Sequence, residues 1–134
     1  LAKERLMIGH QQVYLSSLSK YVGYPSAAVY AASKDGLAAF GKTMQTAAIA
    51  DGRVTTVFPG PTRTAHARRY SPDNSREDRR MPPKDVAKYI VAGANSKRRF
   101  VFPGGGAKAF ALFGRLLPRV AERAMKKTLY DQFS

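Results

Sequence analysis

Between two short β-prone runs, QQVYLS at residues 11–16 and RVTTVF at 53–58, Val29, Ala32, Gly36, Leu37, Phe40, Met44 and Ala47 recur at steps of three and four. This spacing predicts one long helix from about Ala27, capped by Ser26 and stopped at Asp51-Gly52. The β-branched run after it predicts a strand that ends sharply at Pro59-Gly60. Strand, helix and strand make a βαβ unit, which joins neighbouring parallel strands through a right-handed crossover. Open parallel sheets bind ligands at the carboxyl ends of their strands, and both Ser17 and Pro59-Gly60 fall at such ends.

The pattern repeats further on. Residues 63 to 83 are rich in Arg, Ser, Asp and Pro with little apolar periodicity, and a connection of that length in a compact domain is expected to be a substrate lid, here 65–83. Pro82-Pro83 then open a helix with Val86, Ala87, Ile90, Val91 and Ala94 on one face, and Arg99 to Phe102 predict a third short strand. After Pro103-Gly104-Gly105-Gly106, read as a strand-to-helix turn because no G-K-S/T follows, comes a basic amphipathic helix region over 107–129. Its apolar positions are Phe110, Phe113, Leu117, Val120 and Ala124, and Pro118 interrupts or restarts it.

At 134 residues the chain has room for one domain, expected to be α/β with a parallel sheet. It contains no cysteine, which removes disulfides, thiolate metal sites and cysteine nucleophiles. His10 and His66 lack metal-ligand spacing, so no metal site is expected. The chain opens on Leu1 without a signal-peptide pattern, and a start inside a longer chain is the expectation. No run approaches the roughly 18 apolar residues that span a bilayer. Residues 63–134 hold 17 basic and 6 acidic groups, a net of +11 out of the chain's +14. A field of that size attracts anions, whether a phosphorylated cofactor, nucleic acid or an acidic membrane.

Tyr30 and Lys34 are four apart on the predicted helix and therefore share a face. Reduction of a carbonyl builds negative charge on its oxygen and needs a proton donor within hydrogen-bond reach. A free phenol, with a pKa of about 10, is too weak a donor, and a neighbouring ammonium favours the phenolate form. Lys34 is the partner that Tyr30 requires for that work, and Ser17 offers a hydroxyl to the same oxygen from the strand side. With 7 Tyr and 10 Lys in 134 positions, chance alone supplies roughly 0.5 such pairs, so the weight comes from the Ser17 and Pro59-Gly60 contexts.

In VYLSSLSKYVGYPSAAVYAASKDGLAAF, and again in VFPGPTRTA, the chain resembles the classical short-chain dehydrogenases/reductases. The family's Y-x-x-x-K corresponds to Tyr30 and Lys34, and its serine, thirteen residues before the tyrosine, falls on Ser17 rather than Ser16. The resemblance implies Tyr30 as general acid/base, Ser17 as carbonyl-orienting donor, and Lys34 with a second role on the nicotinamide ribose. It implies that the turn Pro59-Gly60-Pro61-Thr62-Arg63-Thr64 holds the nicotinamide end of the cofactor through Pro59, Gly60, Thr62 and Thr64. Thr62 stands where the family has an aliphatic residue, a change that a backbone contact survives. The family's glycine-rich phosphate loop and catalytic asparagine precede the serine strand by more residues than stand here. The fold implied is therefore the second half of a Rossmann-like domain, residues 1–134 being its C-terminal catalytic portion without the dinucleotide-binding half.

The function implied is an NAD(P)-dependent oxidoreductase interconverting an alcohol and a ketone or aldehyde, the segment alone being inactive. NADP is preferred over NAD, although the family sets that choice near its first two strands. The substrate is a small carbonyl or alcohol, lipid-like molecules among the candidates, and the Tyr30 helix is a usual dimer surface in the family, so a homo-oligomer is expected. The expected location is cytoplasmic, with peripheral membrane contact through residues 107–129 as an option, because Lys and Arg opposite Phe and Leu suit an anionic interface. Nucleic acid, through Lys97-Arg98-Arg99 beside Phe100, is the less favoured partner. The alternative reading is a truncated or inactive remnant serving as an interaction or membrane-surface module. Each site residue also has a plainer reading: Ser17 and Thr64 as caps, Tyr30 and Lys34 as a half-buried ring beside a solvated lysine.

Overall fold

The computed structural model describes residues 11–23, 27–47, 53–70 and 77–130, with side chains to residue 127. The predicted Ser26 cap, the Asp51-Gly52 stop and His10 lie outside the described residues, as do residues 71–76 of the lid. Three strands, β1 (Gln12–Leu15), β2 (Val54–Val57) and β3 (Phe100–Val101), form one sheet in the order β1-β2-β3, with both pairs parallel. Helix α1 (Ala28–Ala47) joins β1 to β2. Between β2 and β3 lie α2 (Ala65–Tyr70) and α3 (Pro83–Asn95), while α4 (Gly105–Leu116) and α5 (Pro118–Tyr130) follow the sheet. With helices flanking parallel strands, this is the expected α/β, Rossmann-like arrangement.

All four residues of β2 are buried, which requires cover on both faces of the sheet. Gly41 of α1 lies against the Thr56 side chain, whereas Gly93 of α3 lies against Val101. Thr56 and Val57 are adjacent on β2 and point to opposite faces, and Val101 is in register with Val57. Helices α1 and α3 therefore cover opposite faces. Because β1-β2-β3 advances in one direction, the second crossover has the hand opposite to the first, so the repeated βαβ pattern is a repeat of element order only. The long 59–82 connection gives the chain room to change face.

The face that α1 turns to the sheet differs from the predicted stripe. Ala38, Gly41 and Gln45 are buried, while Val29 is 87 % and Phe40 52 % exposed, with Ala32, Gly36 and Ala47 also outward. Close approach decides this: only small residues let the helix sit on Tyr14 and Thr56, and polar Gln45 is admitted because its amide donates to Val54 O, Thr56 Oγ1 and Arg99 O. On α3, Val86 and Gly93 are buried, while Ala87 and Val91 face out, again shifted by the need for contact at Val101.

Strand β3 is two residues long rather than the four predicted over 99–102. Phe102 leaves the ladder to stack on Phe58 at 5.2 Å, and Tyr21 meets Phe58 edge-on at 5.4 Å. Helix α4 closes this cluster with Ala107 and Ala111. Gly104 begins the helix at φ 92°, a left-handed conformation that suits glycine, as expected of the turn. The α4 helix ends at Leu117, and Pro118 starts α5 as predicted.

A Cβ at Gly114 would collide with the Tyr21 carbonyl and lie 2.6 Å from Val22 Cγ2, while one at Gly36 would meet nothing. Gly114→Ala is expected to lower stability by about 1–3 kcal/mol and Gly36→Ala to raise it by up to about 1 kcal/mol, read as urea-unfolding midpoints. Equal midpoints for the two variants would contradict this packing.

Candidate active site

The site is built where the carboxyl ends of β1 and β2 meet the first two turns of α1. Backbone bonds continue past the strands: Ser16 N donates to Val57 O at 2.9 Å and Leu18 N to Pro59 O at 3.0 Å. These bonds bring the Pro59-Gly60 turn beside Ser17 and Leu18, and a Cβ on Gly60 would lie 3.3 Å from Leu18 Cδ1. Ser17, Pro59 and Gly60 thus meet at one edge of the sheet, the edge the sequence assigns to ligand.

Lys34 reaches down from α1 to the same edge. Its Nζ donates to Leu15 O at 3.0 Å and lies 5.8 Å from the centre of the Tyr30 ring. Tyr30 is 41 % exposed, so its phenol is open to a ligand. Helical spacing does place the pair together, as Tyr30 and Lys34 required. Ser17 takes a cap position before the 3₁₀ turn Leu18–Lys20, its Oγ accepting from Ser19 N at 3.2 Å. An oxygen that accepts one hydrogen bond still holds its own proton to donate.

Ser16 is the residue that the sequence reading undervalued. It is 3 % exposed, and its Oγ donates to Lys34 O at 2.9 Å. Lys34 is therefore held from both ends, by its carbonyl on Ser16 and its ammonium on Leu15. The signal available was alternation: adjacent serines at a strand end face opposite ways, so one of the two had to meet the helix.

The two threonines each make a hydrogen bond within their own loop. Thr62 Oγ1 donates to Gly60 O at 3.0 Å, and Thr62 bridges in parallel to Met81. Thr64 Oγ1 accepts from Ala67 N at 3.0 Å, which makes it a cap of α2, its plainer reading. Arg63 N donates to Met81 O and Met81 N to Pro61 O, so the segment expected to be a lid leaves and returns at one point. Within it Arg68 donates to Glu77 Oε1 through Nε at 3.0 Å and Nη2 at 2.7 Å. Hydrogen bonding to Arg68, helped by the charges of Arg68, Arg80 and Arg63, holds the Glu77 carboxyl below its ordinary value.

Three parallel strands flanked by helices, with a Tyr–Lys pair over their carboxyl edge, define an α/β, Rossmann-like class of protein. The model of the short chain dehydrogenase family matches residues 8–75, just over half of the chain, and the chain belongs to that family. It is 37% identical over 82 residues to the "Uncharacterized oxidoreductase YxnA" of Bacillus subtilis (strain 168), an alignment covering 58% of this chain and 23% of that protein. The chain spans about a quarter of the length of that relative.

Two outcomes are expected here. Ser16→Ala should cost about 1–2 kcal/mol in urea unfolding, because a buried bond is lost, and Ser17→Ala less than about 1 kcal/mol; the reverse order would overturn the Ser16 assignment. Glu77 has its folded value below its unfolded one, so the clamp is at full strength above the ordinary glutamate value of about 4.3 and is lost as pH falls through the lowered folded value. The protection of α2 amides relative to their intrinsic exchange rates should therefore fall only below about pH 4.3, and Glu77→Gln should abolish that step.

Proposed function

We propose that this chain carries the proton-handling site of an NAD(P)-dependent oxidoreductase that interconverts an alcohol and a ketone or aldehyde. The observation that carries the reading is the Lys34 ammonium, bonded to Leu15 O and 5.8 Å from the Tyr30 ring, at the sheet edge that also bears Ser17. In this reading the Tyr30 hydroxyl donates its proton to the carbonyl oxygen in reduction and takes it back in oxidation, and Ser17 Oγ donates a second hydrogen bond that fixes that oxygen. The Lys34 charge stabilises the phenolate left after transfer.

A nicotinamide cofactor fits the residues of this edge. An ammonium and an exposed tyrosine stand over the carboxyl ends of parallel strands, and the Pro59-Gly60 backbone lies beside Leu18 at the same ends. Lys34 would hold the ribose and the 59–64 turn the nicotinamide end, with Thr62 and Thr64 shaping the turn through their bonds to Gly60 O and Ala67 N. When bound, the cofactor, NADP or NAD, supplies or accepts the hydride. The exposed apolar outer face of α1, with Val29 and Phe40, supports a homo-oligomer assembled through that helix.

In the full-length protein, Tyr30→Phe is expected to lower kcat for ketone-dependent NAD(P)H oxidation by about 10²–10⁴-fold while leaving the circular-dichroism spectrum unchanged. Lys34→Ala should raise KM for the cofactor as well as lowering kcat. A Tyr30→Phe variant that keeps more than about a tenth of the activity would sink the assignment.

A further inference from the structure

The consecutive helices α4 and α5 carry exposed cations and uncovered apolar side chains. Their inner side is committed: Ala107 and Ala111 pack in the core with Phe110 against it, Gly114 abuts Tyr21, and Ala121 is buried. Phe110, an anchor of the apolar face predicted from sequence, is thus already in use. What remains outside is Leu112, Leu116, Leu117 and Val120, each half exposed or more, with Leu116 at 65 %. Leu112 and Leu116 are one helical turn apart, and Leu117 and Val120 lie on either side of Pro118, where α5 starts.

Cations border this strip. Lys108 and Arg115 flank it on α4, and Arg119, Arg123, Lys126 and Lys127 line the outer side of α5, away from buried Ala121. Against these six, Glu122 is the acidic group between residues 105 and 127. A soluble surface of mixed charge would intersperse both signs. Exposed leucines among arginines and lysines match the two layers of an acidic bilayer surface: acyl chains for the apolar strip and anionic headgroups for the cations.

We propose that the α4–α5 pair is a peripheral docking surface for acidic membrane lipid. No helix among the described residues is long and apolar enough to cross a membrane, so the contact is one of lying on the interface. The charge complementarity selects an anionic lipid surface, and the apolar strip, which has no part in reading phosphate alone, favours lipid over nucleic acid. This inference stands apart from the Tyr30 chemistry and survives its failure.

The test is co-sedimentation of the full chain with vesicles of phosphatidylcholine alone or with about a third phosphatidylserine. Binding is expected to the acidic vesicles only and to fall with added salt. Arg119→Ala and Arg123→Ala should each weaken it by about fivefold, the equivalent of about 1 kcal/mol per cation at the surface, and Leu112→Ser with Leu116→Ser should weaken it at constant charge. Lys97→Glu with Arg98→Glu, exposed positions just before β3 at the opposite end of the sheet, should leave it little changed. Binding to duplex nucleic acid in preference to vesicles, binding to neither, or equal loss with the Lys97 and Arg98 changes would overturn the proposal.

Discussion

The seating of α1 on β1 and β2 governs the rest of the structure. The approach is close enough that Gly41 has no room for a Cβ beside Thr56, and Ser16 is buried with its hydroxyl on the Lys34 carbonyl. Such contact fixes the helix both in height above the sheet and in rotation about its own axis, because interiors packed to crystal density resist small displacements. Tyr30 and Lys34 inherit their positions from that seating, as does the outward aspect of Val29 and Phe40. Gln45 extends the same contact at the far end of the helix, where its amide bridges β2 to the residue preceding β3.

Much of this was legible in the sequence, for reasons that can be named. The β-branched run at 54–57 and the small-residue helix before it are local signals, and they placed β2 and the start of α1 within a residue or two. The Tyr30 and Lys34 pair needed only helical spacing. The buried face of α1 was not legible, because hydrophobicity pointed to Val29 and Phe40 while the sheet demanded Ala38, Gly41 and Gln45. Side-chain size mattered more than polarity there. The opposite hand of the second crossover was equally hidden, since it depends on which face of β2 the chain returns to after a long connection, and no local pattern records that choice. Thr64 could be read two ways from sequence, and its bond to Ala67 N supplies the capping role directly.

The two ends of the sheet divide the labour. At the carboxyl ends, backbone bonds from Ser16, Leu18 and Phe58 stitch the strand termini into a stepped rim that supports both the site and the aromatic cluster beneath α4. Tyr21 belongs to both regions: its ring packs on Phe58 and Phe102, its carbonyl sits against Gly114, and burial raises its phenol above the ordinary value even as Arg115 acts to lower it. The chain's positive field is thus carried into the neighbourhood of the site on a helix that the core holds in place.

The clasp of Ser16 and Leu15 on Lys34 has a consequence for how this surface can change. Because the lysine is located by two hydrogen bonds to the strand end, its position owes nothing to the side chains on the outer face of α1. Apart from Phe40, which packs edge-on against Tyr14, that outer face can therefore be rewritten without moving Lys34. A chain built this way can acquire, lose or exchange neighbours through one side of a helix while the other side keeps its seat on the sheet.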